Sequence, residues 1–181
     1  MRIITAPHGL GTDLSRYITV FLAGGITNCR DWQSEVIDIL YEHKSELDKL
    51  AILNPRRPDF PMDDPKAGEK QIKWEFNMLN RCDIFSMYFC NTEKSDQPIC
   101  FYELGRNLAI TPEDQVVIST EAGFRRELDV LMQTGLVYRG DDFKINGSNM
   151  DIPVHKFATP KTHAENIIKV YKYLLGNSKF L

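Results

Sequence analysis

The chain has 181 residues, 43% of them hydrophobic and 26% charged, a balance that excludes disorder, collagen-like sequence and a disulfide-dense miniprotein. Against 25 acidic residues stand 22 basic ones, for a formal charge of -3, so there is no net basic footprint for stable binding to nucleic acid or an anionic membrane. One domain spanning residues 1-181 and a small-molecule partner are the expectation. Cys29, Cys82, Cys90 and Cys100 form no C-x-x-C pair, and His8, His43, His155 and His163 are scattered. The expectation is therefore no metal, no disulfide, no cofactor and buried thiols in a reducing cytoplasm. No apolar stretch approaches the ~20 residues of a membrane span, and no signal-peptide core follows Met1.

In chain order, His8 to Thr12 (HGLGT) reads as a turn. Ile18 to Ala23 (ITVFLA) is a short unbroken apolar run stopped by Gly24-Gly25, the pattern of a fully buried parallel strand. Asn28 offers a helix N-cap with Asp31 three residues on, and Trp32, Val36, Leu40 and Leu47 follow as an apolar stripe. A second strand, Leu50 to Leu53, stops at Asn54-Pro55, and Arg56 to Lys66, rich in proline and acids, is a loop. The next helix is expected to bury Ile72, Phe76 and Leu79, and Asp83 to Phe89 is the third strand. Pro98 opens another helix as a first-turn residue, with Phe101, Leu104 and Leu108 toward a sheet. Gln115 to Ser119 is a fourth strand, Phe124 to Met132 a helix, Leu136 to Tyr138 a fifth strand and His163 to Leu175 a last helix. Arg139 to Thr159 carries no clear period.

This alternation predicts an α/β fold: one doubly wound parallel sheet of about five strands, flavodoxin-like or Rossmann-like, with helices on both faces. Such a sheet gathers its functional loops at the carboxyl ends of the strands. Three loops qualify, at Gly24 to Cys29, Asn54 to Lys66 and Cys90 to Gln97.

The first loop pairs Gly24 and Gly25, which let a ligand approach the backbone, with the polar Thr27 and Asn28. A tight strand-to-helix turn explains the same residues, and the loop is neither a G-x-G-x-x-G fingerprint nor a P-loop. Trp32 suits the core or the wall of a pocket for a flat base. Glu75 stands off the centre of its helix's apolar stripe, and Glu103 lies in the first two turns after Pro98, where the helix dipole keeps a carboxylate ionised. A surface role serves both glutamates equally well. Arg56 and Arg57 match a phosphate by bidentate contacts, or pair with Asp59, Asp63 or Asp64.

Together these segments resemble the nucleoside 2-deoxyribosyltransferase superfamily, in its diverged nucleoside 2-deoxyribosyltransferase-like branch. The resemblance runs through Phe21-Leu22-Ala23-Gly24-Gly25, Asp31-Trp32-Gln33, Leu53-Asn54-Pro55-Arg56-Arg57, Gln71-Ile72-Lys73-Trp74-Glu75, Cys82-Asp83-Ile84 and Tyr102-Glu103-Leu104-Gly105. It implies that Glu103 is a nucleophile toward C1′ of a deoxyribose, that Glu75 holds and protonates the base, and that Gly24, Gly25 and Thr27 line base and sugar. It also implies a nucleoside or nucleotide substrate, base exchange or hydrolysis, and a homodimer or higher homo-oligomer. Typical members carry a sugar-contacting Asp and a short Gly-Ser loop before the nucleophile; here Asn91 to Cys100 has no glycine, and Asp96 takes the place of that acid. The asparagine that a neighbouring subunit supplies in the family has no secure counterpart in Asn146 or Asn149. The competing expectation is a nucleotide-binding sensor or sequestering protein on the same fold, since fold alone does not decide turnover.

Overall fold

Among the described residues six parallel strands form one sheet in the order β1-β3-β2-β4-β5-β6. They are β1 (Arg2–Thr5), β2 (Ile18–Gly24), β3 (Leu50–Asn54), β4 (Ile84–Phe89), β5 (Val116–Thr120) and β6 (Val154–His155). The described residues also form five α-helices: α1 (Trp32–Glu42), α2 (Ala67–Leu79), α3 (Pro98–Leu108), α4 (Glu127–Arg139) and α5 (Pro160–Asn177). The computed structural model describes residues 1–61, 63–145 and 151–177.

The sheet is covered on both faces, which is why its central strands read as continuous apolar runs rather than alternating ones. Along β2, Phe21 and Ala23 join a core with Trp74, Met78 and Leu104 from α2 and α3, and with Val130 from α4. Val20 and Leu22 point the other way, into a core with Trp32, Val36 and Leu40 of α1 and Ala164, Ile167 and Tyr171 of α5. Strand β2 pairs with β3 on one side and β4 on the other. Chain order therefore reverses between β2 and β4, and a crevice opens at their carboxyl ends.

The doubly wound α/β class is as expected, with six strands where about five were anticipated. The two strands not anticipated, β1 and β6, are the sheet's edges, of 4 and 2 residues, too short to carry a period of their own. Leu136 to Tyr138 is not a strand but the last turn of α4. Gly135 does not break that helix, because the Phe143 ring packs where its side chain would be. Asn28 is not the cap of α1. It sits in the left-handed region at φ 61, and Asp31 caps instead, accepting from the Ser34 backbone N–H at 3.2 Å. Helix α2 buries Ala67, Trp74, Met78 and Leu79, whereas Ile72 and Phe76 are exposed. The stripe at Ile72 and Phe76 satisfies helical spacing but faces outward, since the indole of Trp74 fills the core position beside Phe21.

Candidate active site

The crevice between the ends of β2 and β4 is a cleft of about 200 Å³, small for a ligand pocket. Gly24, Gly25, Ile26 and Thr27 form one wall, Pro55 and Glu75 a second, and Ser95, Gln97, Cys100 and Glu103 the third. The two glutamates singled out from sequence, on different helices, share this one cavity with both glycines and Thr27.

The glycine wall is shaped by its packing against the core. Gly24 has φ 147, and a Cβ there would run into the Tyr88 carbonyl and, at 2.7 Å, the Trp32 ring. A Cβ on Gly25 would strike Cys29 Sγ and the Gln97 amide. Trp32 is fully buried, stacked on Tyr88 with centroids 4.8 Å apart, and donates its indole N–H to the Gly25 carbonyl at 3.0 Å. It therefore holds the loop from behind and lines none of the cleft. Arg56 acts on the same loop. Its Nη2 donates to the carbonyls of Arg30 at 2.9 Å and of Gly25 and Ile26 at 3.3 Å, and its Nε lies 3.2 Å from Asp31. The same Nε donates to the Gln33 side-chain oxygen at 2.8 Å, so the guanidinium is engaged by loop carbonyls, Gln33 and Asp31 and not by Asp59, Asp63 or Asp64.

On the opposite side, helix α2 delivers Glu75 and, one turn earlier, Gln71. The Gln71 Nε2 donates to Glu75 Oε1 at 2.9 Å and to the Pro55 carbonyl at 2.7 Å. Loss of water pushes the Glu75 carboxyl up, and the Gln71 hydrogen bond partly counters this. Glu103 is raised to about 7, first by burial and then by the charge of Glu75; Arg106, one turn further along α3, opposes the rise. The dipole argument for an ionised Glu103 is thus outweighed by desolvation and a like charge. Cys100, on the same helix and also lining the cleft, has its thiol pushed up by burial and the two nearby carboxylates.

Gln97 was not singled out from sequence. It is the left-handed residue before α3, at φ 52, and is buried. Its side-chain amide donates to the Cys90 carbonyl at 2.8 Å and accepts from the Cys90 N–H at 3.3 Å, so it pairs with the end of β4 as a further strand would. A polar residue directly before a first-turn proline is the signal that could have found it. For Gln71 the signal was its i, i+4 spacing to Glu75.

The other expected site residues lie outside the cleft lining. Asn28 is exposed, and its carbonyl accepts from the Thr92 hydroxyl at 3.1 Å. Arg57 lies over the Phe60 ring at 5.3 Å. Asp96 pairs with Arg125 and borders a separate groove between α3 and α4. Asn146 and Asn149 lie outside the described residues. Among the described residues, no group of three His, Cys, Asp or Glu side chains is placed to hold a metal ion, and no helix is long and apolar enough to cross a membrane.

A family model described as nucleoside 2-deoxyribosyltransferase like matches residues 17–123, from the start of β2 to the turn after β5. That span holds every cleft residue named above. No curated protein matches the chain.

Proposed function

Because the chain belongs to the nucleoside 2-deoxyribosyltransferase-like family, we propose that it cleaves the N-glycosidic bond of a 2′-deoxyribonucleoside or its 5′-monophosphate through a glycosyl–Glu103 intermediate. The observation that carries this reading is the meeting of Glu75 and Glu103 in one small cleft at the sheet's switch point. Breaking a C1′–N bond builds positive charge on the sugar, and a carboxylate beside it stabilises or captures that charge. The departing base needs a proton, which a second carboxyl group can deliver. Water or an incoming base then opens the ester, giving hydrolysis or base exchange. Nucleosides are the substrate class that the family points to, and we extend the proposal to a cytoplasmic homodimer or higher homo-oligomer.

The test is a panel of deoxyribonucleosides and their monophosphates, with and without a second free base. Free base in water alone means hydrolysis, and a new nucleoside means transfer. Glu103→Gln keeps the shape of the site and removes the attacking oxygen anion, so turnover should fall on the order of 10³-fold or more with little change in binding. A 2′-fluoro-2′-deoxynucleoside should leave a glycosyl adduct on Glu103, read as added mass on its peptide. Unchanged turnover in Glu103→Gln would refute the mechanism. Tight binding of nucleotides with no turnover of any would favour the sensor reading instead.

A further inference from the structure

The two carboxyl groups of the cleft differ in one respect that geometry alone decides. Glu75 accepts a hydrogen bond from the Gln71 amide nitrogen, and the same nitrogen also donates to the Pro55 carbonyl. A carbonyl only accepts, so the face of the amide turned toward Pro55 must be the NH₂. Turning the amide over would set its oxygen against the Pro55 oxygen, and the opposite end of the amide, Oε1, is buried with no hydrogen-bond partner among the described residues. The Pro55 carbonyl therefore locks Gln71 as a donor to Glu75, and a donated hydrogen bond favours the ionised carboxylate. Among the described residues none donates a hydrogen bond to the Glu103 carboxyl; the Arg106 charge acts on it without bonding to it, and Glu75 and Cys100 lie beside it.

We propose that Gln71 is a positioning residue that keeps Glu75 as the anion of the pair and places the site's single proton on Glu103. The raised value of Glu103, about 7, is in keeping with this order. For its part in turnover the inference rests on the two-carboxylate reading above. There it assigns the proton's path. In the first half-reaction the C1′–N bond breaks and a C1′–O bond to Glu103 forms. The proton that leaves Glu103 is taken up by Glu75 and given to the base nitrogen as it departs. The site begins with one proton and one negative charge and ends as a neutral ester, an ionised Glu75 and a neutral base, so no proton from bulk water is required. Water or an acceptor base reverses the sequence, with Glu75 receiving the proton and Glu103 regaining it.

The experiment is a carboxyl ¹³C NMR titration of glutamate-labelled protein between about pH 4 and pH 9, without substrate. Glu75→Gln and Glu103→Gln identify the two resonances. In the wild-type protein Glu103 should lose its proton at the higher pH and Glu75 at the lower. In Gln71→Met, which keeps the length of the side chain and removes the donor, Glu75 should rise by about one pH unit or more and Glu103 should fall as Glu75's charge is withdrawn. Gln71→Leu, which also removes the donor and adds no charge, should behave alike and covers the case in which the methionine variant folds poorly. A merely structural role for Gln71 would move the melting temperature and leave both titrations in place. That result, or a wild-type protein in which Glu75 is the later to ionise, would overturn the proposal. Because the titration needs no turnover, the predicted order in a protein that acts on no deoxyribonucleoside would support this assignment while refuting the proposed reaction.

Discussion

Glu103 holds its proton to about pH 7 because burial and the Glu75 charge both oppose ionisation, against an ordinary value of 4.5. Folding thus favours the protonated form. The stability this contributes is intact below about pH 4.5 and is lost as the pH rises through 7. Glu103→Gln removes that loss. Its melting temperature should match the wild-type value in acid and exceed it near pH 8, by the equivalent of about 2 kcal/mol once solvent in the cleft is allowed for. Thermal denaturation at the two pH values checks this, and equal melting curves at pH 8 would contradict it. Gly24 calls for the opposite kind of change. Alanine there meets both an unfavourable φ and the Tyr88 carbonyl, so Gly24→Ala should cost more than about 1 kcal/mol in urea unfolding. Both glutamates and both glycines could be found in the sequence because each departs from its surroundings, a charge beside an apolar run or a pair of glycines ending a strand. The opposed settings of the two carboxyl groups could not, since they depend on an amide and a carbonyl from separate elements.

Helix α5 is tied to the sheet by a polar contact inside the core. His163 is fully buried, with Nε2 2.7 Å from the Ser86 hydroxyl on β4 and Nδ1 2.7 Å from the Ser119 hydroxyl on β5. Each rotatable hydroxyl can donate or accept, so both ring nitrogens are satisfied, while a charged ring would carry its charge into the core without a counter-ion beside it. Burial accordingly lowers its value from 6.5 to about 3. The sign is the reverse of that for Glu103: the stability is present above about pH 6.5 and is lost as the pH falls toward 3. His163→Leu should lower stability at pH 7 by about 2–4 kcal/mol, because two buried hydroxyls lose their partner, and should flatten the decline on acidification. Urea unfolding at a series of pH values measures both, and an unaltered acid limb would show that another group titrates there. At this scale the sequence was legible where an element crosses the middle of the sheet, as β2, β4 and β5 do. It misled at α2, where Ile72 and Phe76 repeat at helical spacing on the exposed side while Trp74 and Met78 face the core. Periodicity identifies a face, and only packing decides which face is inside.

That outward face has a bearing on the whole molecule. Ile72 and Phe76 of α2 are 67% and 52% exposed, and Ile99 and Tyr102 of α3 are 66% and 71% exposed. These are large apolar side chains on the two helices that carry Glu75 and Glu103, and Phe76 and α3 are already joined by Arg106 over the Phe76 ring at 4.8 Å. If the homo-oligomer we propose is built on this face, Ile72→Lys combined with Tyr102→Lys should convert the assembly to monomer in sedimentation equilibrium. A wild-type protein that sediments as a monomer at micromolar concentration would exclude this arrangement.

The switch point between β2 and β4 also bears on how the chain reaches its native state. Thr19, at the start of β2, is bonded to Asp83, 64 residues away, and Gly25 meets Gln97 only after β4 has been laid beside β2. Pairings so distant in the chain are the ones that make parallel sheets slow to form. The cleft therefore has no existence in a chain whose two halves have not yet joined. A small molecule that fills it recognises only the finished fold and draws the folding equilibrium toward it by mass action. Resistance to unfolding thus becomes a readout of occupancy that needs no catalysis, and it serves as well for an inactive variant as for the wild type.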